Sequence, residues 1–165
     1  MAGKVNALRE GTHTITPHLV IRGAAKAIEF YRKAFGAEVR GDHRGPDGKV
    51  MHAELKIGDS VFFLADEYPG AGSCASPEAV GGTTVTLNLY AENIDQVFNQ
   101  AVAAGATVLM PLANQFWGDR YGQVKDPFGH VWALGQHMED LTREEQERRA
   151  REFFAKMASQ KGSGH

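Results

Sequence analysis

Apolar positions recur at two different spacings near the start of the chain. Between Ala24 and Phe35 they recur at helical spacing, whereas Leu19-Val20-Ile21 alternates with polar neighbours as a strand does. Gly36 follows the helical stretch and predicts its end, because glycine readily adopts a positive φ. We therefore predict a strand and then a helix in this region.

The same pattern returns further along, with Gly105 standing 69 positions after Gly36. Residues 87–90 are typical of a strand and residues 94–104 of a helix. Three short strand-like segments follow each helix, at about 37–43, 50–57 and 60–65 and again at about 106–110, 120–125 and 130–137, with glycine-, proline- and aspartate-containing turns between them. Each copy is therefore predicted to be a βαβββ module.

Two such modules predict an α+β fold of one domain over residues 14–140. The modules, at about 14–66 and 83–137, are expected to form one cupped mixed sheet with a shared cleft, and residues 67–82 to link them. Residues 1–13 and 159–165 are polar and rich in small residues, so we predict that both ends are disordered. The final Gly-Ser-Gly-His is also compatible with a remnant of expression.

A helix is predicted at the C-terminal end, over residues 141–158. Thr142 and Glu145 form a capping-box pattern, which marks a helix start. Ala150, Phe153, Phe154 and Met157 give this helix an apolar stripe that needs a covering surface. Ordinary packing on the same chain would cover it, and so would a second subunit; we predict a homodimer.

Composition and charge narrow the class of partner. The formal net charge is −2 and the pI is about 6.4, so the chain has no basic surplus for nucleic acid or anionic lipid. Its single cysteine, Cys74, favours a reducing compartment, and no apolar run is long enough for a signal peptide or a membrane span. We predict a cytoplasmic protein with a small-molecule ligand, and neither nucleic acid nor membrane as partner.

Two motifs give the chain a family resemblance. They are Ala27-Ile28-Glu29-Phe30-Tyr31 before Ala34-Phe35-Gly36-Ala37, and Phe116-Trp117-Gly118-Asp119-Arg120-Tyr121-Gly122 followed by Asp126-Pro127-Phe128-Gly129-His130. With the repeated module, they resemble the glyoxalase/bleomycin resistance protein/dioxygenase superfamily, also called vicinal oxygen chelate, and its PhnB-like branch. The resemblance covers about residues 14–140.

The resemblance implies a fold shared with dihydroxybiphenyl dioxygenase, and a choice of functions. The superfamily holds metal-dependent lyases, isomerases and dioxygenases as well as metal-free proteins that bind drugs. Where metal-using relatives place their ligands, this chain has Thr16, Phe62, Thr84 and Ala133, none of which is a good divalent-metal ligand. The resemblance therefore favours a protein without a metal site or other cofactor.

Strand alternation predicts which side chains line the cleft, because residues two apart share a face. It places Leu19, Ile21, Val61, Phe63, Leu87, Leu89, Trp132 and Leu134 under the helices, together with Val85. The loop before the seventh strand adds an aromatic and charged group, in which Trp117 would stack on the ligand and Arg120 attract an anionic or carbonyl-bearing group. The predicted ligand-binding residues are His18, Phe62, Asn88, Tyr90, Trp117, Asp119, Arg120, Tyr121 and His137.

Three functions remain open from the sequence. The first is a metal-free protein that binds a small, partly apolar molecule. The second is an enzyme, a lyase, isomerase or dioxygenase, that uses His52 and Glu54 as an acid/base couple or holds a metal on shifted ligands among His18, His52, Glu54 and His137. The third is a module that only assembles with other proteins through its C-terminal helix.

Overall fold

The first module is a four-stranded sheet with one helix. The computed structural model describes residues 6, 8, 9, 11–70 and 74–161. Strand β1 (His18–Ile21) leads into helix α1 (Ala24–Phe35), and strands β2 (Glu38–Arg44), β3 (Val50–Ile57) and β4 (Ser60–Asp66) follow. The strand order is β1-β4-β3-β2, with β1 parallel to β4 and the other pairs antiparallel.

The second module repeats this topology. Strand β5 (Thr86–Tyr90) and helix α3 (Ile94–Ala104) are followed by β6 (Thr107–Asn114), β7 (Asp119–Lys125) and β8 (Val131–His137), in the order β5-β8-β7-β6. Gly36 and Gly105 end α1 and α3 with φ of 66° and 119°. The predicted α+β fold of tandem βαβββ modules is confirmed.

The two sheets do not share a hydrogen-bonded strand pair among the described residues. Each sheet has four strands, and α1 packs against α3. The expected cupped sheet is thus divided into two sheets with the helices between the modules. The predicted linker contains a short helix, α2 (Pro77–Val80), whose first turn is capped by the buried hydroxyl of Ser76, while residues 71–73 lie outside the described part of the chain.

The C-terminal helix α4 (Arg143–Lys161) begins where the capping box predicts. The hydroxyl of Thr142 accepts from the backbone N–H of Glu145 at 3.2 Å, and the Glu145 carboxylate accepts from the backbone N–H of Thr142 at 3.2 Å. The helix continues to Lys161, so residues 159–161 are helical and their prediction as a disordered tail is wrong. Residues 162–165 of that tail, and residues 1–5, 7 and 10 of the predicted N-terminal disorder, lie outside the described residues. No described helix is both long and apolar enough to cross a membrane.

A buried carboxylate joins the two modules. Asp126, in the turn between β7 and β8, is 2% exposed and accepts a hydrogen bond from the Tyr31 hydroxyl of α1 at 2.7 Å. The same carboxylate accepts from the indole N–H of Trp132 at 3.0 Å and from the backbone N–H groups of Phe128 and His130 at 2.9 and 3.0 Å. Burial, and then the charge of Asp126, holds the pKa of Tyr31 well above its ordinary value. Tyr31 therefore stays a hydrogen-bond donor and fixes one module on the other.

The strand faces differ from the prediction in one strand. Leu19, Leu87, Leu89, Trp132 and Leu134 face the helices as predicted, but β4 is reversed. Because His18 pairs with Phe63 and Leu19 with Leu64, the side chains of Phe62 and Leu64 point to the helix side, and Val61 and Phe63 to the open face. The run Val61–Ala65 is apolar throughout, so its sequence carries no alternation from which the face could be deduced. Val85, also predicted under a helix, precedes β5 and is 61% exposed.

Candidate ligand-binding site

A cavity lies where the two modules meet. Its volume is about 510 Å³, within the range of small-ligand sites. Strand β5 supplies one wall, and the turn between β3 and β4 with the start of β4 supplies another. The lining residues are His13, Ile15, Pro17, the segments 57–62 and 86–90, and Trp132.

Three of the predicted ligand-binding residues line this cavity. Asn88 and Tyr90 come from β5, and Phe62 reaches it from the helix side of β4. The Phe62 ring lies 5.5 Å from that of Tyr31 and 5.9 Å from that of Trp132, edge to face. Phe62 is therefore a cavity wall, although on the face opposite to the one predicted.

A hydrogen-bonded group of Tyr90, Asp119 and His137 adjoins the cavity on the open face of the second sheet. Asp119 is 8% exposed; its carboxylate accepts from the Tyr90 hydroxyl at 2.9 Å and lies 2.9 Å from Nδ1 of His137. Nε2 of His137 lies 2.9 Å from the exposed carboxylate of Asp140. The Tyr90 ring covers Gly135, where an added Cβ would come within 3.0 Å of it. The sequence predicted each of Tyr90, Asp119 and His137, and the fold brings them together.

The carboxylates of this group shift the pKa values of His137 and Tyr90. Hydrogen bonds to Asp140 and then Asp119 hold the pKa of His137 above its ordinary value. The hydrogen bond to Asp119 raises the pKa of Tyr90. Tyr90 thus keeps its proton at neutral pH and directs it at Asp119, and the His137 imidazolium is stabilised between two carboxylates.

The aromatic loop before β7 lies beside this group and outside the cavity lining. Trp117 contacts Tyr121 and Phe116 edge to face, with ring centroids 5.6 and 5.0 Å apart. Phe116 in turn contacts Phe153 of α4 at 5.1 Å. Gly118 has a φ of 96°, and an added Cβ would lie 2.6 Å from the carbonyl oxygen of Glu139, so the loop requires glycine there. Trp117 is therefore a partly buried link between the open face and α4.

The prediction for Arg120 as a ligand-attracting residue is not supported by its position. Its guanidinium donates to the Asp95 carboxylate at 2.6 and 2.8 Å and to the side chain of Asn114 at 3.0 Å. Alternation along β7 explains this, because Asp119 and Tyr121 share the open face and the residue between them must point the other way. The hydrogen bond to Asp95 raises the pKa of Arg120. The guanidinium charge therefore forms an ion pair that joins β7 to α3.

The remaining predicted residues lie on the open face of the first sheet. The His18 ring is 6.0 Å from that of His52, and the His52 ring is 4.9 Å from that of Phe63. The carboxylate of Glu54, 7% exposed, is 2.9 Å from Arg9 and 3.8 Å from Arg40. Burial, and then repulsion from His52, holds the pKa of His18 below its ordinary value. The Glu54 carboxylate is thus paired with two guanidinium groups. The use of His52 and Glu54 as an acid/base couple stays a prediction.

The positions where metal-using relatives place their ligands carry few metal-binding side chains in this chain. On the open face Phe63 pairs with His18, and Ala133 pairs with Asn88, so neither of the last strands offers a carboxylate there. The described part of the chain contains no group of three or more His, Cys, Asp or Glu side chains placed to hold a metal ion. The absence of a bound metal stays a prediction.

Several cavity residues were not predicted from the sequence. Asp59 was predicted only as part of a turn, Ser60 only as the start of a strand, and His13 as part of a disordered end. Trp132 was predicted as a core residue, and it is both a core residue and a cavity wall. Only the packing of one module against the other brings these residues together.

Comparison with known proteins agrees with this fold. The Glyoxalase/Bleomycin resistance protein/Dioxygenase superfamily model matches residues 12–134. The chain belongs to this superfamily. It is 47% identical over 133 residues to Uncharacterized protein Rv0887c of Mycobacterium tuberculosis, which covers 79% of this chain and 78% of the relative.

Solved structures with the same fold include two at about one quarter identity. TioX from Micromonospora sp. ML1 is 25% identical with a TM-score of 0.62, over 76% of this chain and 99% of TioX. The PhnB protein from Bacillus cereus is 26% identical with a TM-score of 0.59, over 75% of this chain and 99% of its own. The predicted resemblance to the superfamily and to PhnB-like proteins is confirmed.

Proposed function

We propose that the protein binds a small, partly apolar molecule in the cavity between its modules. The observation that carries the proposal is the cavity itself, of about 510 Å³, because it combines apolar walls with a few polar groups. Phe62, Leu87, Leu89 and Trp132 supply apolar surface, and Asn88 and Tyr90 supply polar atoms. A cavity of this size accommodates a molecule of roughly drug size.

Filling the cavity tests this proposal. Thr86 is an exposed residue of β5 on the cavity lining, and Thr86→Trp should occupy the cavity without disturbing the core. Thr107→Trp is the matched control, since Thr107 is exposed at the start of β6, outside that lining. A panel of small aromatic and aliphatic molecules is titrated by calorimetry against the unaltered protein and both variants. Binding that Thr86→Trp abolishes and Thr107→Trp retains supports the proposal, and binding unaffected by Thr86→Trp contradicts it.

We propose further that this binding needs no metal. The support is the chemistry of the side chains at the family's ligand positions, which are threonine, phenylalanine and alanine. Protein purified without chelator should contain far less than one divalent metal ion per chain by elemental analysis. About one tightly held zinc, nickel, manganese or iron ion per chain would contradict this.

A second candidate function is proton transfer at His137. The observation that favours it is the buried Asp119 carboxylate on Nδ1, which orients the ring, while Nε2 lies 2.9 Å from the exposed carboxylate of Asp140. A catalytic role predicts that the rate for any substrate found depends on the protonation of His137. His137→Gln should then abolish turnover but leave ligand affinity within a few fold, whereas an equal loss of both would assign His137 to binding.

A further inference from the structure

Two hydroxyl groups around the cavity have their protons engaged within the protein and present acceptors to it. The Tyr90 hydroxyl donates its proton to Asp119 at 2.9 Å, which leaves its oxygen lone pairs for a ligand. The Ser60 hydroxyl donates to Asp59 at 2.8 Å, so its proton is also engaged within the protein. One N–H of the Asn88 amide donates to the carbonyl of Thr86 at 3.5 Å, which leaves its second N–H to donate and its carbonyl oxygen to accept.

Charge follows the same trend. Asp59 contributes a carboxylate to the lining, and the hydrogen bond from Ser60 holds the pKa of that carboxyl below its ordinary value. Among the described lining residues there is no lysine or arginine. His13 and Thr86 can each donate or accept a hydrogen bond. The one arginine predicted to attract an anion, Arg120, is bound to Asp95 on the other face of its sheet.

From these observations we infer that the ligand of this cavity is an organic amine. Its apolar body would pack against Phe62, Leu89 and Trp132, and its protonated amino group would donate to the Asp59 carboxylate or to the Tyr90 hydroxyl oxygen. Carboxylates of the same size are disfavoured, because an anion would meet these acceptors and the negative charge of Asp59, with no lysine or arginine among the described lining residues. The inference rests on the proposed function and names the chemical class of its ligand.

Four probes with one apolar body separate charge from hydrogen bonding. They are 4-phenylbutylamine, 4-phenylbutan-1-ol, the methyl ether of that alcohol, and 5-phenylpentanoate, each titrated into the full chain by calorimetry at low salt. The amine should bind at least about tenfold more tightly than the carboxylate, since hydrogen bonds to charged groups are the stronger ones. The alcohol should bind about 2- to 10-fold more tightly than the ether, which can only accept.

Two variants assign these preferences to particular atoms. Tyr90→Phe keeps the ring and removes the acceptor, so the advantage of the alcohol over the ether should shrink while the affinity of the ether is unchanged. Asp59→Asn should reduce the affinity of the amine about 2- to 5-fold, in the range of exposed ion pairs. Asp47→Asn is its control, because Asp47 is an exposed turn residue at the opposite end of β3, outside the lining. Circular dichroism and thermal melts establish that each variant is folded.

The outcomes distinguish this inference from the proposed function. If none of the four probes binds, and the wider panel does not bind either, the proposed function fails. If probes bind and Thr86→Trp abolishes their binding, but the carboxylate binds as tightly as the amine, the cavity is a ligand site and the inference about the amine is wrong. An amine preference that survives both Tyr90→Phe and Asp59→Asn also overturns the inference, because the preference then arises elsewhere.

Discussion

The hydrogen bond between Tyr31 and Asp126 should be a principal contribution to the joining of the modules. Tyr31 is fully buried on α1, and its hydroxyl donates to the Asp126 carboxylate at 2.7 Å. Tyr31→Phe removes that hydroxyl and leaves three other donors on the carboxylate. Hydrogen bonds to charged groups contribute about 1.5 to 3 kcal/mol, so the free energy of unfolding should fall by that amount. For a chain of this size the melting temperature should fall by about 3 to 12 °C.

Removing the carboxylate should cost more than removing the hydroxyl. In Asp126→Ala, the buried Tyr31 hydroxyl and the Trp132 indole N–H both lose their acceptor. Each unsatisfied buried donor costs about 1 to 3 kcal/mol, which gives roughly 2 to 6 kcal/mol for the two. The double variant should be less destabilised than the sum of the single variants, because both changes remove the same contact.

Urea denaturation followed by circular dichroism and tryptophan fluorescence measures these differences. Tyr121→Phe is the control, since Tyr121 is partly exposed and its hydroxyl oxygen accepts from the neutral side chain of Gln123 at 2.8 Å. That variant should change stability by no more than about 0.5 kcal/mol. If Tyr31→Phe is equally mild, or if its effect adds fully to that of Asp126→Ala, the proposed energetic role of the bond is refuted.

The pH dependence offers a second readout of the same bond. Burial raises the pKa of Tyr31 in the folded protein, so the folded chain holds this proton where the unfolded chain releases it. Its contribution to stability is complete below about pH 10, the ordinary tyrosine pKa, and is lost as pH rises further. Above about pH 10, the free energy of unfolding of Tyr31→Phe should therefore fall less steeply with pH than that of the unaltered protein. An unchanged alkaline slope would contradict this assignment.

Three further predictions concern the second module and α4. By NMR titration, His137 should show a pKa above 6.5, and Asp119→Asn should lower that pKa. The contribution of this histidine to the free energy of unfolding is present below about pH 6.5 and is lost as the pH rises through the raised pKa. A measured pKa below 6.5 would contradict the contacts of His137 with Asp119 and Asp140. Gly118→Ala should lower the melting temperature, because the added Cβ meets the carbonyl of Glu139 at 2.6 Å, whereas an unchanged melt would show that the loop can shift. Removal of residues 141–165 should weaken a homodimer measured by light scattering, since Phe154 and Met157 are 60% and 44% exposed; a monomer with and without the segment would exclude that interface.

The sequence determined most of the local structure. Helical spacing, Gly36 and Gly105 located α1 and α3, and the capping box of Thr142 located the start of α4. These signals are local, because a helix end depends on the conformation and hydrogen bonds of residues within one turn. Alternation in β7 also places Asp119 and Arg120 on opposite faces, so the position of Arg120 away from the ligand site follows from the strand pattern alone.

The candidate site, by contrast, depends on contacts between distant parts of the chain. In the apolar run Val61–Ala65 every residue suits a buried face, so the sequence could not tell that Phe62 lies under the helices and Phe63 on the open face. The cavity is bounded by residues as distant in the chain as His13 and Trp132, and the hydrogen bond from Tyr90 to Asp119 spans 29 positions. Such contacts depend on how two modules pack, and packing is set by the shapes of both surfaces together, which no local pattern contains.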